Sequence, residues 1–268
     1  MTDLSLPPRS ALYLPASNPR AIEKAKGLDA DMIILDLEDA VKPDKKDEAR
    51  AAAVLAAQEG FGARRCAIRI NGPESEWYTD DSAAVAQSRC DFVVLPKVET
   101  AALAATVIAG TGKPLLAMIE TPRGVLNASG IAAVEGMVGL IVGTNDLATS
   151  LHIPPACGRA SMGVALQTII LAARAAGIWA LDGVFNGLED PAGLLAECTE
   201  GQRLGFDGKT LIHPNQIATT NAQWSPSAQE IAEAQALIEA ARGGAERYEG
   251  RMIETMHVDA ARRLLSRR

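Results

Sequence analysis

A repeated unit restricts the fold of this chain more than any other feature of its sequence: a short apolar run followed by a longer, Ala-rich stretch. The runs are residues 11–14, 32–36, 66–70, 92–95, 115–119, 140–142, 178–181 and 210–212. Each run is apolar almost without interruption, which is typical of parallel strands with both faces covered. Strands that alternate with helices along a whole chain predict a parallel sheet.

The stretches between the runs have the character of helices. They are predicted at residues 18–26, 44–58, 76–87, 100–109, 122–132, 163–176, 191–204 and 227–241. Eight strand–helix units in 268 residues, with no break in composition, predict a closed (β/α)8 barrel, the TIM barrel. A doubly wound sheet is the alternative, although no glycine-rich dinucleotide-binding fingerprint follows the first strand.

The last part of the chain departs from the repeated unit. The stretch GGAERYEGRMIETMHVDAARRLLSRR, which begins at Gly243, contains a glycine break and then a short basic helix. We therefore predict a barrel over residues 1–222 and a C-terminal helical extension over residues 223–268. The extension is expected to pack on its own barrel or on that of a neighbouring subunit.

Charge and hydropathy exclude several classes of partner. A net charge of −7 argues against nucleic acid, because binding to phosphate backbones needs a basic surface. No apolar run reaches the roughly 18 residues of a membrane span, so no membrane partner is expected. The first 15 residues carry an early acid and prolines where a signal peptide needs an apolar stretch. We therefore expect a cytoplasmic protein.

Polar side chains follow the predicted strands, and the carboxyl ends of barrel strands are where active sites form. They are Asp36, Glu38, Asp39, Arg69, Glu120, Asp146, Asp182 and His213. Taken singly, Asp146 or Thr144 could cap a helix, Arg69 could be a buried ion-pair partner, and His213 is better explained by a structural hydrogen bond. As a set, several carboxylates at one barrel mouth repel each other unless a cation lies among them. Oxygen donors without Cys or clustered His suit Mg²⁺, or Mn²⁺.

Seven motifs make a resemblance plain. They are RSALYLPASNPRAIEKA, MIILDLEDAVKPDKKDEAR, AIRIN, VVLPKVE, AMIETPRG, GTNDLA and GFDGKTLIHPNQI, in this order from Arg9 to Ile217. The chain resembles the citrate lyase β-subunit-like CoA ester lyases of the HpcH/HpaI aldolase superfamily, which include malyl-CoA and citramalyl-CoA lyases. The resemblance implies a Mg²⁺-dependent enzyme that forms homo-oligomers, either a trimer or a hexamer.

The resemblance also implies roles for individual residues. Glu120 and Asp146 match the two Mg²⁺ carboxylates, and Arg69 matches the arginine that holds the 2-oxo acid part of the substrate. Glu38 and Asp39, in the strand end that starts with Asp36, match acids that lie beside the metal site and reach it through waters. The positions that contact CoA are Tyr13, Arg20, Lys24, Lys45 and Lys46.

The basic residues have an independent argument, because CoA carries several phosphate charges. The first two loops are rich in lysine and arginine although the protein as a whole is acidic; they hold Arg20, Lys24, Lys26, Lys42, Lys45 and Lys46. For any single one of them, a solvated helix face explains the residue equally well.

One position departs from the family pattern. The lyases resemble each other in a tail motif GxMID, whose Asp exchanges a proton with the acyl methyl carbon, often in a neighbouring subunit. Here the stretch is Gly250-Arg251-Met252-Ile253-Glu254. The extra methylene of Glu254 moves the carboxylate by more than about 1 Å, and a misplacement of that size can lower a rate about 100-fold.

We expect a Mg²⁺-dependent carbon–carbon lyase that splits a 3-hydroxyacyl-CoA, such as malyl-CoA or citramalyl-CoA, into an acyl-CoA and a 2-oxo acid. The catalytic residues implied are Arg69, Glu120, Asp146 and Glu254. A malyl-CoA-type thioesterase is the alternative that the altered tail acid keeps open. Two further alternatives are a citrate lyase β subunit active only in a complex and an aldolase without CoA.

Overall fold

A computed structural model, which describes residues 6–248 and 250–267, shows a closed barrel of eight parallel strands. The strands are β1 (Ser10–Pro15), β2 (Met32–Asp36), β3 (Arg65–Arg69), β4 (Phe92–Leu95), β5 (Leu115–Ile119), β6 (Met137–Val142), β7 (Trp179–Asp182) and β8 (Gly208–Leu211). They are ordered around the barrel as in the sequence, and β8 pairs with β1 to close it. The predicted (β/α)8 barrel is confirmed, and the doubly wound alternative was wrong.

The barrel explains why the strands are apolar without alternation. In β2, Met32 and Ile34 belong to the cluster that fills the barrel interior, where Phe92 and Trp179 meet edge to face with ring centroids 5.5 Å apart. The intervening Ile33 belongs to the larger cluster between the strands and the helices. Both faces of each strand are therefore buried, and a polar residue on either face would need a partner.

Ten helices accompany the barrel in the described part of the chain, and two more follow it. The first ten are α1 (Pro19–Ala25), α2 (Lys46–Glu59), α3 (Tyr78–Gln87), α4 (Ala101–Thr111), α5 (Pro122–Leu126), α6 (Ala128–Ala132), α7 (Thr144–Ser150), α8 (Gly163–Ala176), α9 (Pro191–Leu204) and α10 (Ile217–Trp224). Side-chain caps begin several of them, as where Asn18 Oδ1 accepts the amide of Ala21 at 3.1 Å.

The helices differ from the sequence prediction in three places. The stretch predicted as one helix over residues 122–132 is the pair α5 and α6, separated at Asn127, whose side-chain amide donates to the Glu99 carbonyl at 2.8 Å. Helices α7 and α10 were not predicted. The expected division of the chain after residue 222 falls inside α10.

The seam between β7 and β8 is short. These strands pair at Leu181 with Gly208 and at Asp182 with Lys209, whereas β1 and β2 stay in register over five residue pairs. Lys209 and Asp182 are both fully buried, and Lys209 Nζ lies 3.1 Å from Asp182 Oδ2. Arg159 reaches the other carboxylate oxygen of Asp182 at 2.8 Å. Charged side chains therefore join the strands where the backbone ladder is shortest.

The extension after the barrel begins with α11 (Ala228–Ala240) and continues as an antiparallel hairpin of β9 (Glu246–Tyr248) and β10 (Arg251–Ile253). Helix α12 (Thr255–Leu265) then packs against α11. Arg267 binds Asp207 at 2.8 Å, just before β8, so the end of the extension lies at the amino-terminal end of the barrel strands. Residues 1–5, Glu249 and Arg268, which the predicted barrel and extension include, lie outside the described residues. Over the described ranges, no helix has both the length and the apolar character to cross a membrane.

Candidate active site

A cavity of about 380 Å³ opens at the carboxyl ends of the strands. Its lining includes Tyr13, Asp36, Asp39, Arg69, Glu120 and Asp146, which come from the ends of β1, β2, β3 and β5 and from the start of α7. These residues are far apart in the sequence and meet because parallel strands end at the same rim of the barrel. The structure thus brings these six of the residues that the sequence analysis singled out to one cavity.

Arg69, at the end of β3, is held on two sides by carboxylates. Asp36 accepts from Nε at 2.7 Å and from Nη2 at 2.6 Å, and Glu38 lies 2.6 Å from Nη1. Asp36 also accepts the backbone amides of Glu38 at 2.8 Å and Ala40 at 3.2 Å. The guanidinium carbon lies 4.9 Å from the ring centroid of Tyr13. Arg69 is therefore both a buried ion-pair partner and a fixed cation in the cavity wall.

Burial and the neighbouring carboxylates shift the pKa of the Arg69 guanidinium in opposite directions. Burial lowers the pKa of Arg69, but the charge of Asp36 and its hydrogen bonds raise it further, so the net direction is upward. For Glu38, burial raises the carboxyl pKa to about 7, against the lowering effect of Arg69. Arg69 is positively charged at any working pH, whereas Glu38 can change its protonation near neutrality.

Glu120, at the end of β5, is 3% exposed and is fixed by its neighbours. The Lys97 amide donates to its Oε1 at 2.7 Å, and Lys97 adopts a φ of 50°, which is uncommon for a residue with a side chain. A Cβ atom at Gly143 would lie 2.1 Å from its Oε2. Burial, followed by the charge of Asp146, raises the carboxyl pKa of Glu120 to about 7.

Asp146 lies in the first turn of α7 with a side chain 43% exposed. The residue that precedes α7 is Gly143, so neither Asp146 nor Thr144 is its N-cap. Lys97 Nζ approaches Asp146 Oδ2 at 3.7 Å. Asp146 therefore presents its carboxylate to solvent at the cavity mouth, next to the buried Glu120.

These residues fit a hard divalent cation. The described residues contain no group of three or more His, Cys, Asp or Glu side chains arranged around one point. Mg²⁺ needs fewer protein ligands, because it usually keeps several waters and binds through one or two carboxylates. Glu120 supplies a buried carboxylate whose ionised form a cation would favour, and the missing side chain at Gly143 leaves room for its Oε2. Asp36 is not available, since each of its oxygens already accepts one hydrogen bond from Arg69 and one from a backbone amide.

The residues expected to contact CoA divide into three groups. Arg20, Lys24 and Lys45 are exposed, on α1 and just before α2, and Lys45 pairs with Glu48 at 3.0 Å. Tyr13 lies within the cavity, where its hydroxyl donates to Met118 Sδ at 3.5 Å.

Lys46 differs from the expectation. It is 5% exposed, and its ammonium donates to the carbonyls of Leu37 and Glu38 and to Asn71 Oδ1, each at 2.7 Å. An ammonium has three protons to donate, so this one has none left for a phosphate. The assignment of Lys46 as a CoA contact is corrected on this ground.

Glu254 is not brought to the cavity of its own barrel. It is the exposed residue before α12, where its amide donates to His257 Nδ1 at 3.0 Å, and it lines a separate groove with Val258 and Arg262. Asp182, at the end of β7, is also absent from the cavity wall, because Lys209 and Arg159 hold it in the barrel wall.

His213 has a structural part, as the sequence analysis favoured: its Nδ1 accepts the amide of Asn215 at 3.2 Å. Sequence reasoning missed the parts of Lys97 and Gly143, which border Glu120 at Oε1 and at Oε2. Their signals in the sequence were weak: a lysine two residues after a strand and a glycine directly after one.

Comparisons with known proteins identify the family to which this barrel belongs. Residues 9–214 match the model of the family described as HpcH/HpaI aldolase/citrate lyase. A (3S)-malyl-CoA thioesterase of Cereibacter sphaeroides is 44% identical over 97% of this chain and 94% of its own length. A citrate lyase subunit beta of Leuconostoc mesenteroides subsp. cremoris is 35% identical over 96% and 92%.

Among solved structures, the protein CitE from Mycobacterium tuberculosis, in complex with magnesium, acetoacetate and coenzyme A, superposes with a TM-score of 0.84. It is 33% identical, and the match covers 98% of each chain. The barrel, the cavity at its mouth and the sequence match over the length of the barrel lead to one conclusion: the chain belongs to the HpcH/HpaI aldolase/citrate lyase family.

Proposed function

We propose that this chain is a Mg²⁺-dependent enzyme that hydrolyses the thioester of a malyl-CoA-type substrate. The observation that carries the proposal is the meeting of Arg69, Glu120 and Asp146 on one cavity, an arrangement suited to a metal-chelating, negatively charged acyl group. The relative of Cereibacter sphaeroides, named (3S)-malyl-CoA thioesterase and similar over nearly the whole chain, supports hydrolysis over carbon–carbon cleavage.

Glu120 and Asp146 are the residues that would hold the cation. When bound, Mg²⁺ supplies Lewis acidity to the oxygen atoms of the substrate. The complex of the Mycobacterium tuberculosis protein with magnesium and coenzyme A supports both ligands here. In the pair, Glu120 is held rigidly by the amide of Lys97, while the more exposed Asp146 is free to adjust to the substrate.

Arg69 binds and orients the acyl group. Its guanidinium lines the cavity but is locked by Asp36 and Glu38, so a substrate carboxylate meets a donor that is already in place. Preorganised charge of this kind is often the largest contribution to rate enhancement. The Tyr13 ring packs against the guanidinium, 4.9 Å from ring centroid to guanidinium carbon.

The attacking water needs a group that accepts its proton. Asp39 lines the cavity, is exposed, and follows the fixed Glu38 in the chain, and we assign this part to it. As Asp39 takes one proton, the water oxygen adds to the thioester carbonyl carbon. The carbon–sulfur bond then breaks, the proton on Asp39 passes to the sulfur, and CoA leaves as a thiol while the acid is released. Replacement of Asp39 by Asn is expected to lower kcat without loss of metal binding.

Arg20, Lys24 and Lys45 are the residues we assign to the phosphates of CoA. All three are exposed; Arg20 and Lys24 lie on α1, which follows β1, and Lys45 lies between β2 and α2, as Asp39 does. A cluster of lysine and arginine can attract an anionic ligand although the protein as a whole carries a net charge of −7.

The test is to incubate the protein with Mg²⁺ and (3S)-malyl-CoA, and in parallel with citramalyl-CoA, and to follow free thiol and 2-oxo acid separately. Release of thiol together with malate, and no 2-oxo acid, is expected. The control is Glu120→Ala, which should abolish turnover that depends on Mg²⁺ while its circular dichroism spectrum stays that of the unmodified chain. Full turnover by Glu120→Ala would show that the metal site is elsewhere.

Carbon–carbon cleavage of the same substrate is the second candidate. The similarity to citrate lyase β subunits supports it, and it would appear in the same assay as a 2-oxo acid without free thiol. Because Glu254 lies away from the cavity of its own barrel, cleavage would need the tail of another copy at the site. A homo-oligomer, trimer or hexamer, is therefore part of this candidate.

A further inference from the structure

Lys46 begins α2 next to the exposed Lys45, yet its side chain points into the protein. Its ammonium is enclosed by three oxygen acceptors and packs 4.9 Å from the ring centroid of Trp77. An ammonium buried without acceptors would raise the free energy of the folded state. The three acceptors offset that cost for the one lysine at this position. The proposed function gives this residue no part.

The acceptors show what Lys46 holds. Two of them are the carbonyls of Leu37 and Glu38, in the loop between β2 and α2 that also carries Asp39. The Leu37 carbonyl accepts a second bond from Asn71 Nδ2 at 3.0 Å, and the Glu38 carbonyl accepts a second bond from the Val41 amide at 3.1 Å. Lys46 thus holds the backbone of this loop through hydrogen bonds to two of its carbonyls.

The hydrogen-bond network around Lys46 continues from Asn71 into helices α3 and α2. Asn71, the third acceptor of Lys46, follows β3 and donates from its amide and side chain to Asp81 Oδ2 at 3.0 and 2.6 Å. Asp81 is in turn paired with Arg50 of α2 at 2.7 Å. The network therefore connects the loop after β2 to α2, α3 and the end of β3, the strand that ends in Arg69.

The consequence reaches the cavity through Glu38. Its amide donates to Asp36 at 2.8 Å and its carboxylate meets Arg69 at 2.6 Å, so the direction of the side chain depends on the backbone that Lys46 fixes. We propose that Lys46 is a positioning residue: it fixes the β2–α2 loop so that Glu38 holds Arg69 and Asp39 faces the cavity. The kinetic consequence rests on the proposed function, whereas the structural consequence does not.

The first measurement needs no substrate. Amide hydrogen exchange at Glu38, Ala40 and Val41 is compared between the unmodified chain and Lys46→Met. The loss of buried donors should speed exchange there by about tenfold or more. The matched control is Lys113→Met, because Lys113 also donates to a backbone carbonyl, that of Ser88 at 2.8 Å, but before β4 and β5, at the opposite end of the barrel. Exchange that stays unchanged at these amides in folded Lys46→Met would overturn the proposal.

The second measurement uses malyl-CoA and Mg²⁺. Lys46→Met should lower kcat by about tenfold while KM for the CoA ester stays within about twofold, because the loss is in the placing of Arg69 and Asp39. Lys113→Met should leave both constants unchanged. A rise in KM at unchanged kcat would mean that Lys46 does bind CoA, and would overturn the proposal. If the unmodified chain turns over no CoA ester, the proposed function fails, and hydrogen exchange alone decides on Lys46.

A milder variant covers the case in which Lys46→Met does not fold. Trp77→Leu removes the ring beneath the ammonium and leaves all three acceptors in place. It should speed exchange at the same amides by about threefold, in line with a lost cation–π contact. Folded Trp77→Leu with unchanged exchange at Glu38 and unchanged kcat would contradict the positioning role.

Discussion

The missing side chain at Gly143 makes the position of Glu120 possible: a Cβ atom there would lie 2.1 Å from Glu120 Oε2 and 2.5 Å from Glu120 Cβ. The φ of Gly143 is −94°, which other residues adopt, so space and not backbone conformation requires the glycine. Glu120, at the end of β5, and Gly143, just before α7, are therefore matched in shape. Helix α7 carries Asp146, the other carboxylate that we propose for the metal.

Gly143→Ala is expected to weaken the binding of divalent cations by about tenfold, because the added Cβ atom displaces the Glu120 carboxylate. Electron paramagnetic resonance of free Mn²⁺ measures this affinity without any substrate. Gly110→Ala is the control, since a Cβ atom there meets nothing within 4 Å. Equal Mn²⁺ affinity in both variants would show that Glu120 is not a metal ligand.

Stabilisation by Mg²⁺ should depend on pH through Glu120. Its pKa is raised by burial, and next by the charge of Asp146, from 4.5 to about 7, so the fold favours the neutral form. Without metal, this contribution to stability is complete below the unfolded value and is lost as the pH rises through 7. A cation needs the ionised form, so the rise in Tm caused by Mg²⁺ should be larger at about pH 8 than at about pH 6.

Glu120→Gln is the matched variant for that experiment, because the amide keeps the shape of the side chain and cannot ionise. Its Tm should respond weakly to Mg²⁺, and equally at both pH values. Differential scanning fluorimetry with and without the cation gives the comparison. An unmodified chain whose response to Mg²⁺ does not change with pH would argue against Glu120 as the titrating ligand.

If Arg20 and Lys24 bind the phosphates of CoA, their loss should raise KM for the CoA ester. Replacing both Arg20 and Lys24 by Ala removes two exposed charges on α1, and KM for malyl-CoA is expected to rise about tenfold with kcat within about twofold. The effect should shrink at high salt, since exposed charges are screened. Lys26→Ala is the control, because Lys26 is already paired with Glu59 at 2.9 Å. A variant of Arg20 and Lys24 with unchanged KM would place the CoA phosphates elsewhere.

Lys209 should be among the residues on which stability depends most. Lys209→Met leaves the buried Asp182 with Arg159 but without its partner in the next strand, and removing one partner of a buried pair destabilises by about 3–5 kcal/mol. Urea unfolding followed by circular dichroism measures the loss. Lys26→Ala, at an exposed pair, should leave the free energy of unfolding nearly unchanged. An equally small effect for Lys209→Met would show that the bonds of Lys209 to Asp182 and Glu197 contribute little to stability.

The strands were predictable because a strand buried on both faces is apolar at nearly every position, and such a run can be recognised in the sequence alone. Helix α7 was not, since residues 144–150 contain Leu147 and few other large apolar residues, and the helix is fixed by the barrel rim rather than by an apolar stripe. Arg69, Glu120 and Asp146 could be placed together because parallel strands end at one rim.

The burial and contacts of individual residues could not be predicted from the sequence in the same way. Lys45 and Lys46 are neighbours of the same type, and only the direction in which α2 begins decides that one is solvated and the other enclosed. The positive φ of Lys97 and the recess at Gly143 are properties of backbone geometry, which the residue types do not encode. Glu254 matches a catalytic position by motif, but a motif does not say whether the tail serves its own barrel or that of a neighbouring subunit.

The seam between β7 and β8 offers a way to watch the barrel open. Its backbone pairing is short, and the ammonium of Lys209 is sealed within it at 0% exposure. An amine-reactive label will modify Lys24 and Lys45 at once and reach Lys209 only when the two strands separate. The labelling rate at Lys209, read by mass spectrometry, therefore measures how often this part of the barrel wall opens in the native protein, without denaturant.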